Sequence, residues 1–410
     1  MVVFGLNSLR GCSFNFQFFA NKLAHGLPSW TVIRNWILRF GLYKLLQPLP
    51  KRKDWIWIID HTIEFGTKKC MVVLAISQEK YESLNYTLTH KDMEVAAIEI
   101  QENATGKNIY LALRKLSKQI GKPRQIVSDS CSNLQLGIRL FKRKSKKTIA
   151  TYDITHKAGI EVKKLFEKKV RWTDFCNKMA TTKRRVINTE FVCIAPRRPR
   201  EKGRWLNLDQ DIRWAEKILK NKPEKRNGRR SKLYKRFIKY FGWLDEFKED
   251  LKKWRELLDI LLIAQKEVKK NGLSQKTPEA FLKLTREPAT TYLKAKELKD
   301  KLYHFFQNEV AQFPQKPITL LGTSDIIESV FGKYKIFTAR TPLKEIGKSI
   351  LTIPILTGEV TVKEVKQAME TISDRKLSEW TQENIGESLF AKRMKFYVQL
   401  NHQNAVKKNV

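Results

Sequence analysis

The chain has 410 residues, 42% of them hydrophobic, which is enough to bury real cores and excludes wholesale disorder. Its 80 Lys plus Arg against 42 Asp plus Glu leave a net charge of +38, and the simplest partner for that charge is a polyanion. No run of about 18 apolar residues could span a bilayer, and the apolar stretch around Phe14 to Phe19 is interrupted by Asn15 and Gln17. Nucleic acid is therefore expected and membrane is not, in a cytoplasmic, nucleoid-associated protein without a signal peptide. Cys12, Cys70, Cys131, Cys176 and Cys193 are odd in number and form no CxxC pair, so they read as reduced thiols with no zinc or disulfide framework.

Residues 1–53 contain no acidic side chain. Ser29 can cap a helix over Trp30 to Phe40, with Trp30, Ile33, Ile37 and Phe40 near helical spacing and Gly41 as a stop. Arg34, Asn35 and Arg39 fall off that stripe, as they would on one helix of a helix-turn-helix reading DNA. Pro48 to Lys53 reads as the linker that follows.

From Asp54 the pattern turns to strands. Trp55 to Asp60 is an apolar run ending in a carboxylate, Lys69 to Ile76 is a second run, and Gly66 between them suggests a hairpin. Glu82 to Thr89 alternates as a third strand. Met93 to Ile120 has helical composition and ends at Gly121 and Pro123. Gln125 to Asp129 is a fourth strand closing on a carboxylate, Leu134 to Phe141 a helix, and Thr148 to Asp153 a fifth strand. A meander followed by crossovers can lay the strands ending in Asp60 and Asp129 side by side, with both carboxylates at one end of the sheet.

Residues 158–315 are rich in Lys, Glu, Leu and aromatics at helical spacing. Ser231 to Val268, with a break at Gly242, and Thr290 to Val310 are the clearest helices; Arg197 to Lys202 and Lys222 to Lys232 read as basic loops. Pro314 and Pro317 close this block. Asp325 to Tyr334 then reads as a helix carrying Glu328, and Thr361 to Val398 as further helix.

Hard divalent cations want carboxylate oxygens, and two of them can activate one oxygen and stabilise another in phosphoryl transfer on DNA. Asp60, Asp129 and Glu328 are the candidate ligands. Singly each has a bland reading, since a strand-end Asp is often a turn former and a Glu on an amphipathic helix is often solvated. Their conjunction in so basic a chain is what points to chemistry.

Ile58-Ile59-Asp60-His61-Thr62, Val127-Ser128-Asp129 and Ser324-Asp325-Ile326-Ile327-Glu328-Ser329-Val330-Phe331 resemble the three catalytic segments of the DDE transposases. The long interval before the last carboxylate resembles the hAT-like arrangement, in which an all-helical domain is inserted between the fifth strand and the final catalytic helix. Asp153-Ile154-Thr155-His156 is similar to a further motif of that group, which implies that Asp153 and His156 support the site. With no zinc finger before it, the pattern looks like a prokaryotic insertion-sequence transposase.

The resemblance implies an α/β fold: a ribonuclease-H-like core over residues 54–157, an all-helical insertion over 158–315, and the final catalytic helix with C-terminal helices over 316–410. Residues 1–53 would be the helical DNA-binding region. It implies two Mg2+ or Mn2+ ions held by Asp60, Asp129 and Glu328, and double-stranded DNA as partner, both element ends and target, bound by a homo-oligomer. DNA contacts are expected from Arg34, Asn35, Arg39, Arg197, Arg198 and Arg200, and a base-stacking role is open to Trp205, Trp214, Trp243 and Trp254, most of which are expected to be core residues. The rivals are a nuclease of the same fold without strand transfer, and a catalytically inactive transposase-derived DNA-binding protein.

Overall fold

The computed structural model describes residues 2–5, 7–19, 26–65, 68–167, 169–197, 208–223, 231–286, 291–339 and 346–408. The chain divides into two compact units, Met1–Asp153 with Leu320–Val410, and Ile154–Thr319.

The first unit is built on a sheet. Strands β1 (Trp55–Phe65) and β2 (Lys68–Ser77) form the expected hairpin, and β3 (Glu94–Gln101) continues it antiparallel. β4 (Gln125–Ser128) and β5 (Ile149–Tyr152) then add in parallel on the other side of β1, giving the order β3-β2-β1-β4-β5. Helices α4 (Gly106–Ile120) and α5 (Ser132–Lys144) make the crossovers. This order and polarity are compatible with a ribonuclease-H-like core.

Alternation along the strands sorts the core into two layers, because successive strand side chains point to opposite faces. Trp57, Ile59, Met71, Val73 and Ile126 pack with Ile109, Leu113, Ile138 and Phe141 of α4 and α5. Ile56, Ile58, Val72, Leu74 and Val127 face the other way, onto Ile327, Val330, Phe331 and Tyr334 of a later helix, Asp325–Thr338.

The third strand lies elsewhere than expected. Residues 82–89 instead close a short helix, α3 (Gln78–Ser83), which Ser77 caps and which ends in a turn where Asn85 and Tyr86 take positive φ. Leu84, Tyr86 and Leu88 do pack on the core, which is why the segment alternates. The strand β3 was read as helix because a register shift opposite Val73 and Leu74 leaves Val95, Ile98 and Gln101 buried, at a spacing of three.

At the amino terminus, α1 (Leu9–Phe19) is followed by α2 (Trp30–Leu46), capped by Ser29 as expected. Gly41 does not stop α2. It lies buried inside the helix, where a Cβ would run into the Leu351 carbonyl. Leu38, Phe40, Leu42 and Tyr43 pack with Leu351, Ile355, Ala368, Ile372 and Leu377, so α2 is part of the first unit's own core and no free-standing head. The carboxy-terminal side of this unit is helical, with α14 (Val362–Thr371), α15 (Asp374–Asn384) and α16 (Leu389–Lys408) following the helix at Asp325–Thr338, here α13.

The second unit is built from helices: α6 (Ile154–Phe166), α7 (Val170–Val186), α8 (Leu208–Lys220), α9 (Lys232–Phe241), α10 (Lys248–Asn271), α11 (Thr277–Leu284) and α12 (Leu293–Val310). The break at Gly242 is present, as a tight 3-10 turn over Gly242–Phe247 between α9 and α10. Aromatic rings hold its centre: Trp172 meets Trp254 edge-on at 4.9 Å and stacks on Phe175 at 5.4 Å.

Candidate active site

The parallel pairing of β1 with β4 sets Ile59 opposite Ser128. The next residue on each strand is an aspartate, so Asp60 and Asp129 leave the same end of the sheet on neighbouring strands. Face follows from parity. Ile56 and Ile58 precede Asp60 on the α13 face, Asp60 pairs with Val72 of that face, and Val127 precedes Asp129 on it. Both carboxylates therefore head the side of the sheet that α13 covers.

Local geometry fixes each aspartate. The β1–β2 register shifts between His61 and Ile63, so Thr62 is an extra residue two places after Asp60, a bulge of the kind that re-aims side chains at strand ends. One oxygen of Asp60 accepts from the His61 amide at 2.7 Å, and one of Asp129 accepts from the Cys131 amide at 2.9 Å, closing a turn. Gln135 of α5 donates to the Asp129 carbonyl at 2.6 Å and to Ser128 Oγ at 3.0 Å, holding the strand end against the helix. Both aspartates are half-buried, open to solvent at one side.

Glu328 lies in the first turn of α13, half-buried beside the stripe of Ile327, Val330 and Phe331 that packs on the sheet. The start of α13 is clamped from below. Asp153, fully buried at the end of β5, accepts from both the amide and the hydroxyl of Ser324, while its own amide donates to Ser128 at 3.2 Å. Gln125, buried at the start of β4, bridges to the Leu321 backbone, accepting from its amide at 3.0 Å and donating to its carbonyl. Its amide also meets Thr151 Oγ1 at 2.6 Å.

Two carboxylates on adjacent strands and a third on the helix above them are a hard-oxygen donor set of the type divalent cations take. Among the described residues, however, no three His, Cys, Asp or Glu side chains stand close enough to hold a metal ion. The register brings Asp60 and Asp129 together, and Glu328 does not complete a set with them in this structure.

No family model and no curated protein matches this sequence. Among solved structures it is similar to a "Drosophila P element transposase strand transfer complex", at a TM-score of 0.35 and 12% identity over 85% of this chain and 89% of that one. So low a score spans most of both chains without a close match of their folds.

The other sequence-named residues fare unequally. His156 is half-buried in the first turn of α6. Arg34 is exposed, its guanidinium 5.6 Å from the Trp30 ring, and Asn35 is half-buried. Arg39 is engaged within the protein: it donates to the Met369 carbonyl at 2.5 Å and to that of Ile372, and so closes the end of α14. Arg197 is likewise tied to Asp211 at 2.8 Å. Arg198, Arg200 and Trp205 lie outside the described residues. Trp214 and Trp243 donate to the Ile194 carbonyl at 2.9 Å and to Thr182 Oγ1 at 2.8 Å, and Trp254 is buried, so these three indoles serve the helical core. The five cysteines are free thiols, and burial pushes Cys70 up to about 12. No helix among the described residues is long and apolar enough to cross a membrane.

Proposed function

We propose that this chain is a DNA transposase of the DDE type, cutting DNA at element ends and joining the freed end to target DNA. The observation that carries the reading is the β1–β4 register, which sets Asp60 and Asp129 side by side on the face that α13 covers. In this reading Asp60, Asp129 and Glu328 would hold two Mg2+ or Mn2+ ions, which when bound supply Lewis-acid stabilisation of the attacking and leaving oxygens. The chain itself supplies alignment. The bulge at Thr62 and the Gln135 contacts fix the two aspartates, the Asp153–Ser324 clamp sets the height of α13, and the net charge of +38 draws in duplex phosphate. Residues 154–319 then stand as an insertion between β5 and α13, and the active form as a homo-oligomer on DNA.

The test is nicking of a supercoiled plasmid carrying this reading frame with its native flanks, in magnesium. Asp60→Asn, Asp129→Asn and Glu328→Gln should each lower nicking at least about a hundredfold, as removal of one group that stabilises developing charge does, with duplex binding kept. Nicking without joined products would mean a nuclease. A second reading is a transposase-derived DNA-binding protein without catalysis, since among the described residues no three His, Cys, Asp or Glu side chains gather as a metal site. Wild-type protein that binds but never nicks would establish it.

A further inference from the structure

The end of the sheet opposite the aspartates gathers lysines and arginines. Residues 103–152 carry one acid, Asp129, and 12 Lys or Arg. The topology gathers many of these cations at one place. α4 and α5 both run back along the sheet, so their carboxy termini lie where β1, β4 and β5 begin. Hydrogen bonds fix this pole: the Arg52 amide to the Ile120 carbonyl at 2.9 Å, the Arg124 amide to that of Trp55 at 2.8 Å, and the Ile149 amide to that of Arg124 at 2.8 Å. Lys122 reaches across from α4's end to the Lys144 carbonyl at α5's end, at 3.3 Å. Gly121 makes the approach possible, with φ at 99° and a position where a Cβ would strike the Arg52 carbonyl.

Lys51, Lys53, Lys118, Arg143, Lys146 and Lys147 are all exposed there, and among the described residues none of them makes an ion pair. Two acids beside this pole, Asp54 and Glu79, are both engaged by Arg52, at 2.8 and 2.6 Å. Helix dipoles favour cations at carboxy termini and account for Lys118 and Arg143. They do not account for Lys51, Lys53, Lys146 and Lys147, which lie off the helices. Salt screens part of the self-repulsion of such an exposed cluster, and a polyanion covering it removes more.

We propose that this pole binds a second DNA duplex, distinct from the one whose phosphodiester meets Asp60 and Asp129. From Trp55 to Asp60 the strand runs about 17 Å at ~3.3 Å per residue, so the cations do not touch the phosphates at the aspartates. The protein would hold one duplex at each end of its sheet. The second duplex is named by its phosphate backbone alone, since what the pole offers is the charge of Lys and Arg side chains. This inference rests on DNA being the partner in the proposed function, and not on cleavage.

The experiment uses the full chain with Lys118→Gln, Arg143→Gln, Lys146→Gln and Lys147→Gln together, against a control with Lys363→Gln, Lys366→Gln, Arg375→Gln and Lys376→Gln, exposed positions of equal charge on α14 and α15. Two differently labelled duplexes are mixed with protein and their co-capture is read by energy transfer across a salt series. The pole variant should lose co-capture, and the log-log salt slope of the second binding step should fall by about 3 to 4, at roughly 0.9 per phosphate contact. The control should keep both, and plasmid nicking by the pole variant should stay within about twofold of wild type. Equal loss in variant and control would show a net-charge effect and overturn the proposal. Co-capture unchanged in the pole variant would overturn it too, as would nicking lost in step with binding, which would make the pole part of the cleavage track. Absence of nicking in wild type, with co-capture present and lost in the variant, would sink the transposase reading and leave the second duplex site standing.

Discussion

The two units carry similar kinds of residues and use them differently. In the helical unit several cations are spent on neighbours: Arg255 bonds Glu216 at 2.5 Å and Asp209 at 3.0 Å, Arg171 bonds Asp250 at 2.6 Å, and Lys222 bonds Asp245 at 2.5 Å. Its tryptophans are spent on one another. In the sheet unit, by contrast, Lys115 with Glu99 at 3.1 Å is the ion pair that α4 makes among the described residues, and most other cations of α4 and α5 face solvent without a carboxylate. A net charge of +38 therefore does not spread evenly into binding surface. Where acids intersperse, it becomes structure; where a segment is stripped of acids, it is left for a partner.

The sharpest way to test that division is to remove one ring from the helical core. Trp254 meets Trp172 at 4.9 Å, Phe175 at 5.2 Å and Phe166 at 6.0 Å. Trp254→Ala should lower unfolding free energy by about 3–5 kcal/mol, the range for truncating a buried Trp, read by urea titration. Under the proposed function, the magnesium concentration giving half-maximal nicking should not move, because nothing at the aspartates has changed. A shifted magnesium requirement would erase the distinction between a structural and a chemical unit.

Asp153 belongs to the other side of the comparison. Asp153→Ala leaves the buried Ser324 amide and hydroxyl without their acceptor, a cost of about 1–3 kcal/mol. Here the magnesium requirement should rise as well, since α13 carries Glu328 one turn beyond Ser324. Asp153→Asn keeps an acceptor oxygen and should restore most of the loss. If both variants lose stability and neither alters the magnesium response, the clamp supports the fold and not the site.

Much of this was legible before the structure. A short apolar run ending in Asp at 60 and again at 129 gave away two neighbouring strands, because only a buried strand uses such a run and its polar end must emerge. The Gly242 break and the helix at Asp325 were visible for similar reasons. What stayed hidden was tertiary. The bulge in β3 disguised a strand as a helix by moving its buried positions to a spacing of three. Arg39 looked like a DNA contact because its acceptors, the Met369 and Ile372 carbonyls, lie far along the chain. The Ser324 hydroxyl, next to the start of α13, serves Asp153, a partner 171 residues back along the chain. Gln125 did offer a signal: an amide inside a four-residue strand of buried residues needs partners, and it finds them on Leu321 and Thr151.

The smallest effect separates the units by pH. His90 sits with its Nε2 2.9 Å from Lys333 Nζ, on the same helix as Glu328. Burial, then the Lys333 and Lys91 charges, hold its pKa below the ordinary value, with Asp92 opposing. A base depressed in the folded state binds fewer protons there than in the unfolded chain, so its contribution is fully present above about pH 6.5, the unfolded value. It is lost as pH falls from there through the folded pKa. In the helical unit, Asp245 is pushed up by burial but held below its ordinary value by Lys222 and Lys248, so its titration lies at more acid pH. Urea midpoints at pH 7.5 and 5.5 should therefore fall less in His90→Gln than in wild type, because a glutamine cannot take the proton that sets His90 against Lys333. An identical fall in both proteins would place the mild-acid response outside the His90–Lys333 contact, and the sheet unit would lose its claim to be the pH-sensitive one.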